Sequence, residues 1–252
     1  MSAPATDLDR PRHLLEEMGF EFAPAVLGEL AERAVREKLP QLGLLELVLG
    51  TERERREERR IKTALKLSGL PVGKTLEGFD YLFQRGVEKS RIELLATCEY
   101  ARRQENVLLL GPPGVGKSHL AAGLGVKAVQ NGFSVTFTSG DELIEQLRRD
   151  EEAGRPLRRR RALSSAVLIL DELGFQALDR REAHLLFKVI AHRYEKGSTI
   201  ITSNKGVREW PEMLAGDEVL ATAILDRLLH HCHVVQIDGR SFRLRQMDKK
   251  VS

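Results

Sequence analysis

The chain has 252 residues, room for one large domain or for a small domain joined to a standard one. Hydrophobic residues at 42% allow a sizeable core, whereas aromatics at 5% are too few for a protein that grips single strands mainly by base stacking. With 40 basic against 37 acidic residues, a net +3, any contact with nucleic acid has to rest on local clusters and not on total charge.

Residues 1–10 read as a leader with Pro4 and no periodic pattern. From Pro11 to about Leu70 the pattern is helical, with Leu27, Leu30, Ala34 and Leu39 on one stripe and Leu44, Leu45, Val48 and Leu49 on another. The second stripe runs into Glu52–Arg60, whose Glu and Arg can pair along an exposed helix or leave some Arg for phosphates. Two Gly and a Pro within Ser68–Gly73 break the pattern, and the domain boundary is placed near residue 72. Beyond it strands alternate with helices. Val107–Leu110, Ser134–Thr138, the fully apolar Ala166–Leu170 and Ser198–Thr202 are the strands, with Ala166–Leu170 expected at the centre of a parallel sheet. Ser139 with Glu142, and Asp179 with Glu182, form capping boxes that open helices running to about Asp150 and Tyr194. Val234–Ile237, Asp238–Gly239 and Phe242–Arg245 predict a closing hairpin.

Ala166–Leu170 is also the longest apolar run, far short of the ~20 residues of a membrane span. No apolar leader opens the chain, and Cys98 and Cys232 suggest no disulfide framework. A cytoplasmic protein without a membrane partner is expected.

The chemistry concentrates at three strand ends. Gly111-Pro112-Pro113-Gly114-Val115-Gly116-Lys117-Ser118 fits G-x-x-x-x-G-K-[ST], with an apolar strand before it and a helix after it. Glycines let backbone N–H groups wrap around phosphate oxygens, Lys117 reaches the β- and γ-phosphates, and the Ser118 hydroxyl ligates Mg²⁺. The strand Val167–Leu170 ends in Asp171 and Glu172. Asp171 is placed to hold Mg²⁺ through its water shell, and Glu172 to orient the attacking water, which separates a hydrolase from a simple nucleotide binder. The strand Thr199–Ser203 ends in Asn204, within reach of a γ-phosphate or the lytic water.

With these residues the chain resembles AAA+ ATPases of the initiator and helicase-loader type, and within them the IstB transposition helpers. The likeness covers roughly residues 75–246 and runs through Lys74–Asp80, Glu105–Ala121, Leu168–Gly174, Arg193–Asn204 and, most specifically, Ala223–His231. It implies an α/β fold, a P-loop core with a parallel sheet flanked by helices (73–252), preceded by a small all-α domain (1–72) that contacts partner or DNA. It also implies ATP with Mg²⁺ as cofactors, and adds His119 to the nucleotide contacts. Arg227 matches the arginine finger that completes a neighbouring subunit's site, and Arg243 the second sensor in cis; read from its helix alone, Arg227 could equally pair with Asp226. The implied partners are duplex DNA, a cognate transposase and further copies of the chain, assembled in an ATP-dependent way.

Three basic clusters lie at residues 51–62, 148–161 and 240–250; the candidates for phosphate contact are Arg155–Arg161 and the helix around Arg53–Lys62, the former first because fewer acids interrupt it. A helicase loader of the DnaC type, acting on single-stranded DNA, is the alternative. Such loaders often carry a cysteine-zinc element in the N-terminal region, and residues 1–75 contain no Cys. A small-molecule phosphotransferase would need an acceptor pocket that nothing after the loop suggests. His230-His231-Cys232-His233 is read as helix-end packing, because adjacent side chains point apart and do not converge on one tetrahedron. Trp210, before Pro211, is expected in the core.

Overall fold

The structure is a computed structural model that describes residues 8–155 and 161–242. The chain divides into two compact units, residues 1–63 and 64–252. The first unit is helical: α1 (Asp9–Glu17), α2 (Ala23–Arg36) and the larger part of α3 (Gln41–Ser68). Ala23, Leu27, Leu30 and Val48 form its core, and Leu44 and Leu47 pack against it. Leu45 and Leu49 stay half exposed, because the face that meets α2 is set by Leu44, Leu47 and Val48 and they sit on the flank of that face. The charged part of α3 is largely self-paired: Arg56 with Glu52 at 2.6 Å, Arg60 with Glu57 at 2.6 Å, Arg55 with Glu58 at 3.3 Å, and Arg59 with Glu21.

In the second unit, α4 (Lys89–Ala96) and α5 (Glu99–Arg102) precede the first strand. There follow β1 (Asn106–Leu110), α6 (Lys117–Gln130), β2 (Val135–Ser139), α7 (Gly140–Glu152), α8 (Arg161–Ser164), β3 (Val167–Asp171), α9 (Arg180–Arg193) and β4 (Ser198–Ser203). The unit closes with α10 (Trp210–Met213), α11 (Glu218–Leu229) and β5 (Cys232–Gln236). Both expected capping boxes are formed, at Ser139 with Glu142 and at Asp179 with Glu182.

The five strands are parallel in the order β2-β3-β4-β1-β5, so β4 and not β3 is central. Helices cover both faces. Leu108, Leu110, Leu168, Leu170 and Ile201 pack with α7, α9 and α11 on one side, and Ile169 meets α6 on the other. Burial on both faces explains why β3 reads as an unbroken apolar run. Trp210 is fully buried in that core. Among the described residues the expected closing hairpin is not seen: Val234 and Val235 lie in β5, which pairs in parallel with β1, residues 237–241 carry no strand, Phe242 is helical, and 243–245 lie outside the described residues. After β5 the chain stays with the phosphate loop, the Ile237 N–H donating to the Leu110 carbonyl at 2.8 Å and the Phe242 N–H to the Gly114 carbonyl at 2.9 Å.

Register brings the carboxyl ends of the inner strands level. Leu110 pairs with Ser203, and Leu170 with Ile201, so the residues following β1, β3 and β4 emerge along one edge of the sheet. In open α/β sheets that edge is where ligands bind.

Candidate nucleotide-binding site

The loop from Gly111 to Gly116 leaves β1 and turns into α6, whose first turn carries no acidic residue to oppose an anion. Two of its glycines are sterically required. A Cβ on Gly111 would lie 2.1 Å from the Ile237 carbonyl oxygen, and one on Gly116, which precedes α6 at φ +97°, would lie 2.5 Å from the Phe79 ring. Lys117 is buried, and its Nζ donates to the carbonyls of Gly111 at 2.7 Å and Pro112 at 2.8 Å, which holds the ammonium inside the loop.

At the end of β3, Asp171 is buried and Glu172 is exposed. A single hydroxyl organises both. Thr202 Oγ1 donates to Asp171 Oδ1 at 2.5 Å and accepts the Glu172 backbone N–H at 2.8 Å. Glu172 sits at φ +57°, a left-handed backbone that non-glycine residues adopt rarely and that clusters at functional sites. The Thr202 bond holds that peptide in place.

A cleft of about 300 Å³ lies over the loop. Gly114–His119, Glu172 and Asn204 line it together with Phe79, Phe83, Phe175 and Phe242. The segment 74–84 is strapped to the loop. Gln84 Nε2 donates to the Val115 carbonyl at 2.9 Å, His119 Nε2 meets the Thr75 carbonyl at 2.7 Å, and Glu77 pairs with Lys127 at 2.6 Å. Ser118 and Asp171 offer hard oxygen donors, the chemistry that Mg²⁺ prefers.

The structure therefore gathers Gly114 to His119, Glu172 and Asn204 around one cleft, with Asp171 beside Glu172. Arg227 is not among the residues lining it. On α11 its Nη1 donates to the Ala223 carbonyl at 2.7 Å and its guanidinium lies 5.1 Å from the centre of the Phe187 ring, with no ion pair to Asp226 among the described residues. Arg243 and Arg158–Arg160 lie outside the described residues. Phe79, Phe83, Gln84, Phe175 and Thr202 escaped the sequence reading. Thr202 left a signal, a hydroxyl interrupting an apolar strand next to its polar tip; Phe79, Phe83 and Gln84 left none, since segment 74–84 carries no periodicity.

Residues 14–250 match the family model described as IstB-like ATP binding protein. A relative from Pseudomonas aeruginosa, named for insertion sequence IS21 and for ATP binding, is 46% identical over 237 residues, 94% of this chain and 89% of its own. Another from Geobacillus stearothermophilus, named for insertion sequence IS5376 and for ATP binding, is 43% identical over 218 residues, 86% of each chain. Among solved structures, the DnaC helicase loader superposes with a TM-score of 0.51 at 25% identity, covering 60% of this chain and 88% of that one. AMPPCP-bound DnaA from Aquifex aeolicus gives 0.55 at 21% identity over 73% and 56%, a likeness of fold alone. No helix among the described residues is long and apolar enough to cross a membrane.

Proposed function

The chain belongs to the IstB-like ATP-binding protein family, and from that premise we propose that it is a Mg²⁺-dependent AAA+ ATPase that assembles with copies of itself on duplex DNA and assists the transposase of an insertion sequence. The observation that carries the hydrolytic part is the alignment of three strand ends, which sets the phosphate loop, the Asp171–Glu172 pair and Asn204 along one edge of the sheet. Insertion-sequence relatives at 46% and 43% identity support the transposition part.

In this reading the backbone N–H groups of Gly111–Ser118 and the start of α6 hold the phosphates, and Lys117 moves from the loop carbonyls to the β- and γ-phosphate oxygens. Phe79, Phe83 and Phe242 receive the apolar base. Ser118 and Asp171 fit Mg²⁺, which when bound neutralises charge on the phosphate oxygens. Glu172, anchored through its N–H to Thr202, polarises the attacking water, and Asn204 hydrogen-bonds that water or the γ-phosphate. Arg227, away from the cleft of its own chain, serves the site of a neighbouring copy, and Arg243 acts in cis.

DNA contact is assigned first to the basic run ending at Arg161. On α3 four of the Arg side chains are engaged by Glu, so that helix reads mainly as a self-neutralised face.

Sedimentation of Glu172→Gln with ATP and Mg²⁺, on duplex and single-stranded DNA of equal length, tests the reading. The variant binds ATP and stalls before hydrolysis, so large complexes are expected on duplex and are lost without ATP. Assembly on single strands alone would turn the assignment to a helicase loader, a reading that the DnaC likeness fits loosely. Assembly on neither would remove the DNA part.

A further inference from the structure

At the amino-terminal edge of the sheet, opposite the nucleotide cleft, the end of α11 meets the turn that follows α9. Glu195 occupies that turn at φ +54°, and His230 and His231 lie between α11 and β5. The His230 and His231 rings stand 4.1 Å apart between centroids, so these two neighbours do not diverge. A Glu195 carboxylate oxygen lies 3.9 Å from His230 Nδ1 and 4.0 Å from His231 Nε2. Among the described residues this is the one group of three His, Cys, Asp or Glu side chains whose ligand atoms all fall within 4.8 Å of one another. His233 is engaged elsewhere, with Nε2 at 2.7 Å from Glu105, and Cys232 lies half-buried in β5. The four-residue string therefore does not converge, but two of its members converge with a carboxylate from another element.

We infer that Glu195, His230 and His231 bind a divalent transition cation of the zinc type. Zinc bonds of 2.0–2.2 Å to nitrogen and oxygen set tetrahedral ligand atoms about 3.4 Å apart. The separations of 3.9 and 4.0 Å to Glu195, and the His–His one within 4.8 Å, thus need a closure of at most about 1.4 Å, which side chains about half exposed can make by small rotations. Two imidazoles select zinc, cobalt, nickel or copper over magnesium, so this site is chemically distinct from the Ser118–Asp171 pair. Binding displaces the Tyr194 hydroxyl, 2.7 Å away, from His230 Nδ1 and leaves water in the fourth position. The cation ties the turn after α9 to the end of α11, the helix that carries Arg227.

Untagged protein, held in ADP and excess Mg²⁺ so that hard-oxygen sites are filled, is titrated with Zn²⁺ by calorimetry and with Co²⁺ by visible absorption. One equivalent is expected, with the intense ligand-field bands of low-coordinate Co²⁺. Affinity should fall at least about tenfold in His231→Gln and in Glu195→Gln, both surface changes that leave the fold intact. A wild-type chain that takes up neither cation, or affinity unchanged in both variants, overturns the site.

Discussion

Thr202 is the residue on which the candidate catalytic pair depends. Its hydroxyl is buried between the Asp171 carboxylate and the Glu172 N–H, so Thr202→Val deprives one of a donor and the other of an acceptor at once. Loss of one well-placed hydrogen-bonding group at such a site costs on the order of 10²-fold in turnover. ATPase kcat should fall by about that factor in Thr202→Val while nucleotide affinity changes little, and Thr202→Ser should restore most of it. Steady-state hydrolysis beside equilibrium nucleotide binding reads both, and an unchanged kcat would show that the carboxylates hold their geometry unaided. Arg193 is the structural counterpart. It is buried with no carboxylate partner among the described residues, and burial lowers its pKa to about 10. The guanidinium donates to the carbonyls of Ala162, Leu163, Ser165, Ala166 and Ser198, and to the Thr199 hydroxyl. It stitches α8, which begins at the last residue of the basic run, to the start of β4. Arg193→Met strands those acceptors and should destabilise the fold by roughly 3 kcal/mol, read as a lowered thermal midpoint; Lys, with one compact ammonium in place of a planar fork, should rescue little of it.

Among the elements, α2 begins with Pro24 in its first turn but without a local side-chain cap. Phe22 stands at its N-cap and offers no side-chain acceptor; the acceptor comes from α3. Glu52 is buried, and its carboxylate accepts the N–H groups of Glu21 at 2.7 Å, Phe22 at 2.8 Å and Ala23 at 2.8 Å, as well as Arg56 at 2.6 Å. Burial alone would raise its pKa, but the backbone donors and Arg56 outweigh it and bring the group down to about 2 from 4.5. A folded pKa below the unfolded one stabilises the native state above 4.5, and that contribution fades as pH falls toward 2. Glu52→Gln should therefore destabilise the N-terminal unit at neutral pH, by about 2 kcal/mol, with the gap to wild type closing through that acid window. Chemical denaturation monitored at several pH values measures it, and a pH-independent gap would assign Glu52 to packing alone. In the sequence Glu52 is one Glu in an alternating charged helix, and nothing there separates it from Glu54 or Glu57. The same division runs through the fold. Signals carried within a few residues were legible: both capping boxes, the strand–loop–helix around Lys117, and β3 as an apolar run ending in two carboxylates. Features made by distant segments were not: the parallel pairing of β5 with β1, the central place of β4, the exposure of Leu45 and Leu49, and the approach of Glu195 to His230.

For the whole molecule, a net charge of +3 makes no general polyanion binder, so affinity for DNA must come from placed groups. If the run ending at Arg161 meets the backbone, Arg158→Ala with Arg160→Ala removes two phosphate contacts. The slope of log K against log salt on duplex DNA should then become shallower by about 1.8, at ~0.9 per contact. An unchanged slope takes that run off the DNA surface. Assembly makes a sharper demand. Within one chain Arg227 does not line the cleft, so if it is the arginine finger proposed above, a second copy has to present it, which requires head-to-tail contact between protomers. Glu172→Gln keeps Arg227 but lacks the water-polarising carboxylate, and Arg227→Ala keeps the carboxylate but has no finger to lend. Each variant alone should be nearly inactive. Mixed in equal amounts, half of all sites retain Glu172 and half of their neighbours retain Arg227, so ATPase activity should recover to about one quarter of wild type if the finger acts in trans. An arginine acting in cis gives no recovery at any ratio, because every chain then carries one broken half of its own site. The dependence on mixing ratio adds a second check: recovery peaks at equal amounts and falls symmetrically to either side, a shape that a partly active single variant cannot produce.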